Sequence, residues 1–388
     1  MPVGYYRGTT PVQFREINWI RGALQTAIAL EHATMPLYSA AMYSLEVQNY
    51  PSYNTIRSVL MEEMLHMAAS CNILAALGGS PRIKDLNPGF PRAGLPGHVA
   101  PDLIGVLAPL SPAQMRNFMR IEAPLFMLTK RQADVPYATI TQFYTAIKTA
   151  IVANAAAVRQ AVLDGGPANQ VGGNLGYRSI VPRRGVDPVD EILAAIDMII
   201  EQGEGSGVAG IQAGEKFQNE GSHYARFAEL YYGRRYLALD SPVALNRDNE
   251  QSYFCGELIA WPVVINTLAV PADGYTAVLT RDPESAVVSQ ELKAFDAAYT
   301  AMMVALDDAW NGPPELSWPS LGEAVIQMNE MRVLSCFNIM RYEVPEEVVA
   351  KLAEIYPSEY QMMATYTDLK KPVFYGPRFV NMATGSTS

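Results

Sequence analysis

Histidine is scarce in this 388-residue chain: only His32, His66, His98 and His223 occur, so the position of each is informative. Cysteine appears three times, as Cys71, Cys255 and Cys336. The odd count and wide spacing exclude a disulfide framework and a zinc-ribbon pattern, and point to a reduced, cytoplasmic setting. Basic runs are missing and the formal net charge is −10, so neither nucleic acid nor an anionic membrane surface is an expected partner. No apolar stretch reaches the roughly 18 residues that a membrane-spanning helix needs. The opening MPVGYYRGTTPVQF lacks a basic stretch followed by an apolar run, so no secretory signal is expected.

What is present describes a globular chain. Hydrophobic residues make up 49% and charged residues 18%, which excludes disorder. Apolar residues recur at three- and four-residue steps over 14–48 (Ile17, Ile20, Leu24, Ile28, Met35, Tyr38, Met42) and over 53–77 (Ile56, Val59, Leu60, Ile73, Leu74). Two long helices are expected, joined by a short turn and packed antiparallel, with Pro36 loosening the first. Residues 80–110 are rich in Pro and Gly and read as an irregular excursion. Further helices are expected from Ser111 to about Pro124, over 139–163, from Asp187-Pro188 to Gly203, over 215–236, and over 286–310 and 319–341. No strand-rich region and no linker stand out. The pattern predicts an all-α fold, a four-helix bundle with additional helices and long Pro/Gly-rich loops. Residues 1–240 form the bundle and 241–388 a helical extension packed on it, as one structural unit.

The sharpest motif occurs twice. Glu63-Met64-Leu65-His66 and Glu220-Gly221-Ser222-His223 are both E-x-x-H, a spacing that puts carboxylate and imidazole on one helical face. In both segments that face is the apolar one. Glu31 falls in register with Leu24, Ile28, Met35 and Tyr38 in the same way. A buried carboxylate destabilises a fold unless something neutralises it, and a metal ion does so directly. Carboxylate-bridged dinuclear bundles use one Glu from each of two helices and one E-x-x-H from each of two others. Glu31, Glu63, His66, Glu220 and His223 fit that order. The remaining Glu is either Glu204, which matches the helix order, or Glu122, which matches a mid-helix inward position. Glu62 and Glu201 fall on other faces. The competing reading is a set of buried Glu–His or Glu–Arg pairs with Arg226 or Arg120 as partner. His32, next to Glu31, reads as structural and His98 as solvent-exposed. Glu122, Tyr38 and Tyr224 are the candidates for catalytic roles: Glu122 as ligand or base, the tyrosines in redox or gating, with core packing the alternative for both.

These residues resemble a known family. The runs Glu31-His32-Ala33-Thr34-Met35-Pro36-Leu37-Tyr38, Glu62-Glu63-Met64-Leu65-His66-Met67, Ile121-Glu122-Ala123-Pro124, Gln202-Gly203-Glu204-Gly205 and His223-Tyr224-Ala225-Arg226-Phe227 are similar to the ferritin-like domain of iminophenyl-pyruvate dimer synthases. The likeness continues weakly through Ala294–Thr300 and Tyr375–Phe379. It implies an iron-dependent oxidative enzyme of specialised metabolism, of the kind that couples imines in bisindole pathways. The members of those pathways are much longer, and no separate haem ligand is visible here. The combined expectation is an oxidase or oxygenase with two iron ions, manganese being the alternative metal. Glu31, Glu63, Glu204 and Glu220 bridge or chelate, and His66 and His223 each cap one ion. The partners are O2 or peroxide and a small substrate, aromatic or amino-acid-derived; a homo-oligomer is compatible. The rivals are an iron-storage or peroxide-scavenging protein and a metal-free accessory bundle.

Overall fold

The computed structural model describes residues 16–46, 51–165, 170–171, 180, 184–204, 221–237 and 247–384. Helix α1 (Ile17–Tyr43) runs unbroken through Pro36, and α2 (Pro51–Ala76) packs along it. The sequence suggests one apolar stripe on α1. Instead, every residue from Ala23 to Tyr43 except Met35 is buried. A helix buried on all sides is a central helix. Here α2 and the later bundle helices cover one side and the C-terminal helices the other.

The Pro/Gly-rich excursion is partly regular, a correction to its reading as loop. Strands β1 (Arg92–Leu95) and β2 (Val99–Gly105) pair antiparallel, with Arg92 opposite Gly105 and Ala93 opposite Ile104. The register slips after Ala93, at Gly94, which takes φ 64° beside the Pro101 backbone. A side chain is disfavoured in that conformation.

Several helix ends follow the sequence closely. Ser111 caps α3 (Pro112–Ile121) by accepting from Gln114 N at 3.1 Å, and the helix stops three residues before Pro124. Leu125, one residue past Pro124, is exposed. A single turn, α4 (Lys130–Ala133), follows. The helix expected over 139–163 is two: α5 (Ile140–Ala153) and α6 (Ala155–Gly165), bent by 88°. Asn154 makes the break, its side-chain amide donating to Ala150 O at 2.8 Å, since Asn competes for backbone partners. Asp187 and Pro188 open α7 (Pro188–Gly203), with Val189 N donating to Asp187 Oδ1 at 3.0 Å. The helix expected over 215–236 is shorter in its described part. Ser222 is its cap, so α8 runs from His223 to Tyr232 and ends on Gly233 at φ 67°.

Around α1 and α2, α5 packs on α1 and α7, α7 on α2, and α8 on α2 and α3. After the single turns α9 (Glu250–Tyr253) and α10 (Thr276–Leu279), the long helices α11 (Ser285–Asn311) and α12 (Ser317–Val333) pack on each other. Tight bonds tie α11 to the first helix pair. Trp310 Nε1 donates to Asn72 Oδ1 at 2.9 Å, and Asp307 Oδ1 accepts from the backbone of Ile83 and Lys84. Buried apolar side chains from Trp19 to Phe379 join one core. Among the described residues, no single helix is long and apolar enough to cross a membrane.

Candidate metal centre

Glu31 on α1 and Glu63 and His66 on α2 face each other inside the bundle, because their three- and four-residue spacing puts them on the inner faces of two packed helices. The other members come from helix ends. Glu122 is the C-cap of α3, not a mid-helix residue as its stripe suggested, and Glu204 is the C-cap of α7. His223 is the first residue of α8. All six are at most 5% exposed. Glu31, Glu63, His66, Glu122 and Glu204 line one cavity of about 10 Å³, room for a body the size of a water molecule or an ion. Glu63, His66 and His223 each offer a donor atom within 4.8 Å of the others.

Both imidazoles present Nδ1 to the carboxylates. His223 Nδ1 lies 2.7 Å from Glu63 Oε1 and 3.6 Å from Glu122 Oε2, and His66 Nδ1 lies 3.7 Å from Glu63 Oε2. Each Nε2 is held from behind. His66 Nε2 pairs with Gln202 Oε1 at 2.7 Å, and His223 Nε2 with Glu62 Oε2 at 2.8 Å. Arg226 in turn grips Glu62 and donates to Ser58 Oγ at 2.9 Å. Such outer partners fix the tautomer, leaving the Nδ1 lone pair turned inward. Two tyrosines brace the acids: Tyr38 donates to Glu122 Oε1 and Tyr144 to Glu31 Oε1. Ser70 Oγ lies 3.0 Å from the Tyr144 hydroxyl. The backbone N–H of Thr141 donates to Glu204 Oε1 at 2.9 Å.

The electrostatics record crowding of like charge. Burial and then Glu63 push the Glu31 and Glu122 carboxyls above their ordinary range. Burial pushes Glu204 up to about 8, against the Thr141 N–H. Burial also opposes the charge on Glu63, but His223 and His66 outweigh it and hold that carboxyl well below the usual range. His223 is the converse: burial disfavours its charge, while Glu63, Glu122 and Glu62 raise its pKa well above the ordinary value. Helix ends add to the imbalance. Glu122 and Glu204 sit at negative C-terminal ends and His223 at a positive N-terminal end, each on the wrong side for its charge. A cation among these groups would offset the repulsion between the carboxylates and favour a neutral His223, which carries no buried charge.

The donor set therefore fits a divalent metal. It comprises four buried carboxylates and two imidazoles with inward Nδ1 atoms, and among the described residues His223 Nδ1 has no hydrogen-bond partner despite its close approach to Glu63. Oxygen and imidazole donors suit iron, manganese or zinc.

A family model described as ferritin-like matches residues 24–232, more than half of the chain. The chain belongs to the ferritin-like family. Among solved structures, this ferritin-like chain is similar to a crystal structure of a ferritin-like protein from Caulobacter vibrioides. The two are 20% identical with a TM-score of 0.54, over 82% of this chain and 94% of that one. At that identity the likeness speaks for the fold. No curated protein matches the sequence.

Of the residues expected at the ferritin-like site, Glu31, Glu63, His66, Glu122, Glu204 and His223 come together, and Tyr38 joins them through Glu122. Glu122 and Glu204, the alternatives for the remaining acid, both line the cavity. Gly203 sits against Glu122, so the ends of α3 and α7 meet there. Glu220 lies outside the described residues. Tyr224 does not join the cluster: its hydroxyl donates to Glu250 Oε1 at 2.6 Å. Adjacent helix positions point about 100° apart, so His223 facing inward turns Tyr224 away. Arg120 pairs with Asp102, outside the site. His98 is exposed as expected, and buried His32 bonds Tyr299.

Sequence reasoning missed Tyr144, Gln202 and Glu62. Glu62 was assigned away from the apolar stripe, and it does lie off it; α8 packs on that flank and makes it a partner of His223. Gln202 had a visible signal, as the first residue of the Gln202-Gly203-Glu204-Gly205 block. Gln202→Leu is expected to weaken metal binding about 10- to 100-fold with helix content unchanged, because the His66 ring loses its anchor. Titration of the metal-free protein with ferrous iron, followed by competition with a chelator, measures this. Affinity equal to wild type removes Gln202 from the centre.

Proposed function

We propose that the protein is a metal-dependent oxidoreductase, an oxidase or oxygenase that uses two iron ions, with manganese the alternative. Its partners are O2 or peroxide and a small aromatic or amino-acid-derived substrate. The observation that carries this reading is the convergence of Glu63, His66 and His223 inside a ring of further carboxylates, with the His223 Nδ1 atom lacking a hydrogen-bond partner among the described residues. Glu31, Glu63, Glu122, Glu204, His66 and His223 are the residues that would hold the ions; Glu220 is a further candidate from the sequence. Bound iron supplies the electrons that reduce O2 or peroxide.

The chain's own residues do the rest. Gln202 and the Glu62–Arg226 pair orient the two imidazoles. Glu122 is either a ligand or the base beside the ions: Tyr38 donates to its Oε1, and its Oε2 lies 3.6 Å from His223 Nδ1. Tyr38 holds its hydroxyl proton on Glu122 Oε1, and Tyr144 does so on Glu31 Oε1, so both carboxylates keep a fixed orientation. The side chains of Ile140, Ile199 and Ile200 wall the cavity and limit water. The resemblance to iminophenyl-pyruvate dimer synthases supports oxidative coupling of imines as the specific reaction.

The test is aerobic loading of the metal-free protein with ferrous iron. About two ions per chain and O2 consumption above that of free iron are expected, an estimate taken from dinuclear carboxylate bundles. A folded protein that takes up no transition metal rejects the proposal.

A further inference from the structure

A second cavity lies on the opposite side of the α1–α2 pair. It encloses about 260 Å³ and shares no lining residue with the metal centre. Met35 and Ser39 of α1, Met64 and Ala68 of α2, Met302 of α11 and Met328 of α12 are among its walls. The separation follows from helix geometry. On α2, Met61, Met64, Leu65 and Ala68 are each turned by roughly 100° or more from both Glu63 and His66, so one helix serves two sites. The far walls, α11 and α12, lie beyond residues 24–232, the stretch that matches the ferritin-like family. The C-terminal part of the chain thus closes a chamber that the family-matched region leaves open.

The lining defines the ligand chemistry. No Asp, Glu, Lys or Arg is present among the described residues that line the chamber. Polar groups are confined to His32, Ser39, Tyr43, Tyr299 and the Trp310 indole, and the last already donates to Asn72. His32 Nε2 and the Tyr299 hydroxyl bond each other at 2.8 Å. Methionine dominates the apolar wall. Here the methionines border a void where core filler would occupy it, and their flexible thioethers adapt to varied apolar shapes. Protein cores are otherwise close-packed, with few voids larger than a water molecule. Met61 and Val325 line the chamber and are about half exposed, which gives it a mouth.

We propose that this chamber is a second ligand site, for an uncharged, mainly hydrocarbon molecule of roughly ten non-hydrogen atoms bearing one hydrogen-bonding group. The size follows by proportion from an apolar cavity of about 150 Å³, which holds benzene. The hydrogen-bonding group meets the Tyr299 and Ser39 hydroxyls. The site stands independently of the metal assignment.

The probe is 1-naphthol, titrated against the full chain with tryptophan fluorescence and calorimetry as readouts, since Trp310 lines the chamber. Saturable binding of one 1-naphthol per chain is expected, with the anion 1-naphthoate bound at least tenfold more weakly. Leu321→Trp and Met328→Trp, which fill the chamber from α12, are expected to weaken 1-naphthol binding at least tenfold without changing ferrous-iron uptake. A crystal soaked in 4-bromo-1-naphthol is expected to show bromine between α2 and α12. Absence of saturable 1-naphthol binding by wild type overturns the proposal. So do unchanged binding in the two folded variants, or bromine located elsewhere.

Discussion

His223→Ala is expected to lower metal affinity by at least about 100-fold and to bring O2 consumption to the level of free iron. The estimate takes the loss of an outer partner, about 10- to 100-fold, as its floor, because His223 presents its own donor atom. The imidazole is fully buried and its Nδ1 sits 2.7 Å from Glu63 Oε1, with no hydrogen-bond partner among the described residues. It also separates Glu62 from Glu63, bonding one through Nε2 and approaching the other through Nδ1. Alanine removes the donor and leaves two carboxylates facing an empty space. Glu63→Ala should act as strongly, since among the described residues Glu63 is the one acid paired with both imidazoles. His98→Asn, at an exposed loop position, is the control and should retain wild-type stoichiometry. Metal analysis after chelator competition, with circular dichroism to verify the fold, decides the matter. Wild-type metal content in folded His223→Ala would remove His223 from the ligand set.

Raising the pH from about 5 to 8 is expected to destabilise the metal-free protein while strengthening its hold on metal. Glu204 titrates near 8 in the folded chain against 4.5 as its ordinary value. Between those values the folded chain keeps a proton that the unfolded chain has lost. Each such proton removes about 1.4 kcal/mol of stability per pH unit. Glu31 and Glu122, also raised, act in the same direction. His223 adds to it: its stabilising contribution is complete below its ordinary 6.5 and is lost as the pH rises through its elevated folded value. Glu62, held down to about 2, works in another window. Its contribution is present above the ordinary 4.5 and lost only as the pH falls toward 2, and Glu63 behaves likewise. His32, held down to about 4 against its ordinary 6.5 by burial, opposes the trend between pH 5 and 6.5, so the net loss of stability is steepest above pH 6.5. Metal binding runs the other way, because ligands must shed protons to bind. Urea unfolding midpoints of metal-free and metal-loaded protein, taken across this range, should diverge as the pH rises. Glu204→Gln should flatten part of the metal-free slope. A metal-free midpoint that stays level or climbs contradicts the protonation scheme.

Much of the centre was legible before any tertiary structure. Glu31, Glu63 and His66 lie on long helices, where a three- or four-residue spacing determines which side chains share a face. Their burial against the apolar pattern signalled a compensating charge. His223 was picked out by its E-x-x-H motif, but the expectation behind that motif, a helical face shared with Glu220, does not hold: Gly221 and Ser222 lie outside α8, which starts at His223. Helix starts at Ser111 and Asp187 were equally readable, because a capping side chain followed by proline specifies a local geometry.

Other features were decided only by packing between distant segments. Tyr144 reaches Glu31 across 113 positions and Gln202 reaches His66 across 136, and no local periodicity encodes such pairings. Glu62 looked like a surface acid until α8 was laid over it. The meeting of Glu122 with Glu204 required two helix ends to converge, and a stripe analysis treats helix ends as exits. The sequence by itself therefore determined the bundle class, the long helices and the inward acids and imidazoles, since these follow from local backbone geometry and from the penalty on buried charge. The tertiary structure decided which outer groups orient those ligands, and where the C-terminal helices enclose a second chamber. Both depend on the relative placement of whole helices, which many side chains determine jointly.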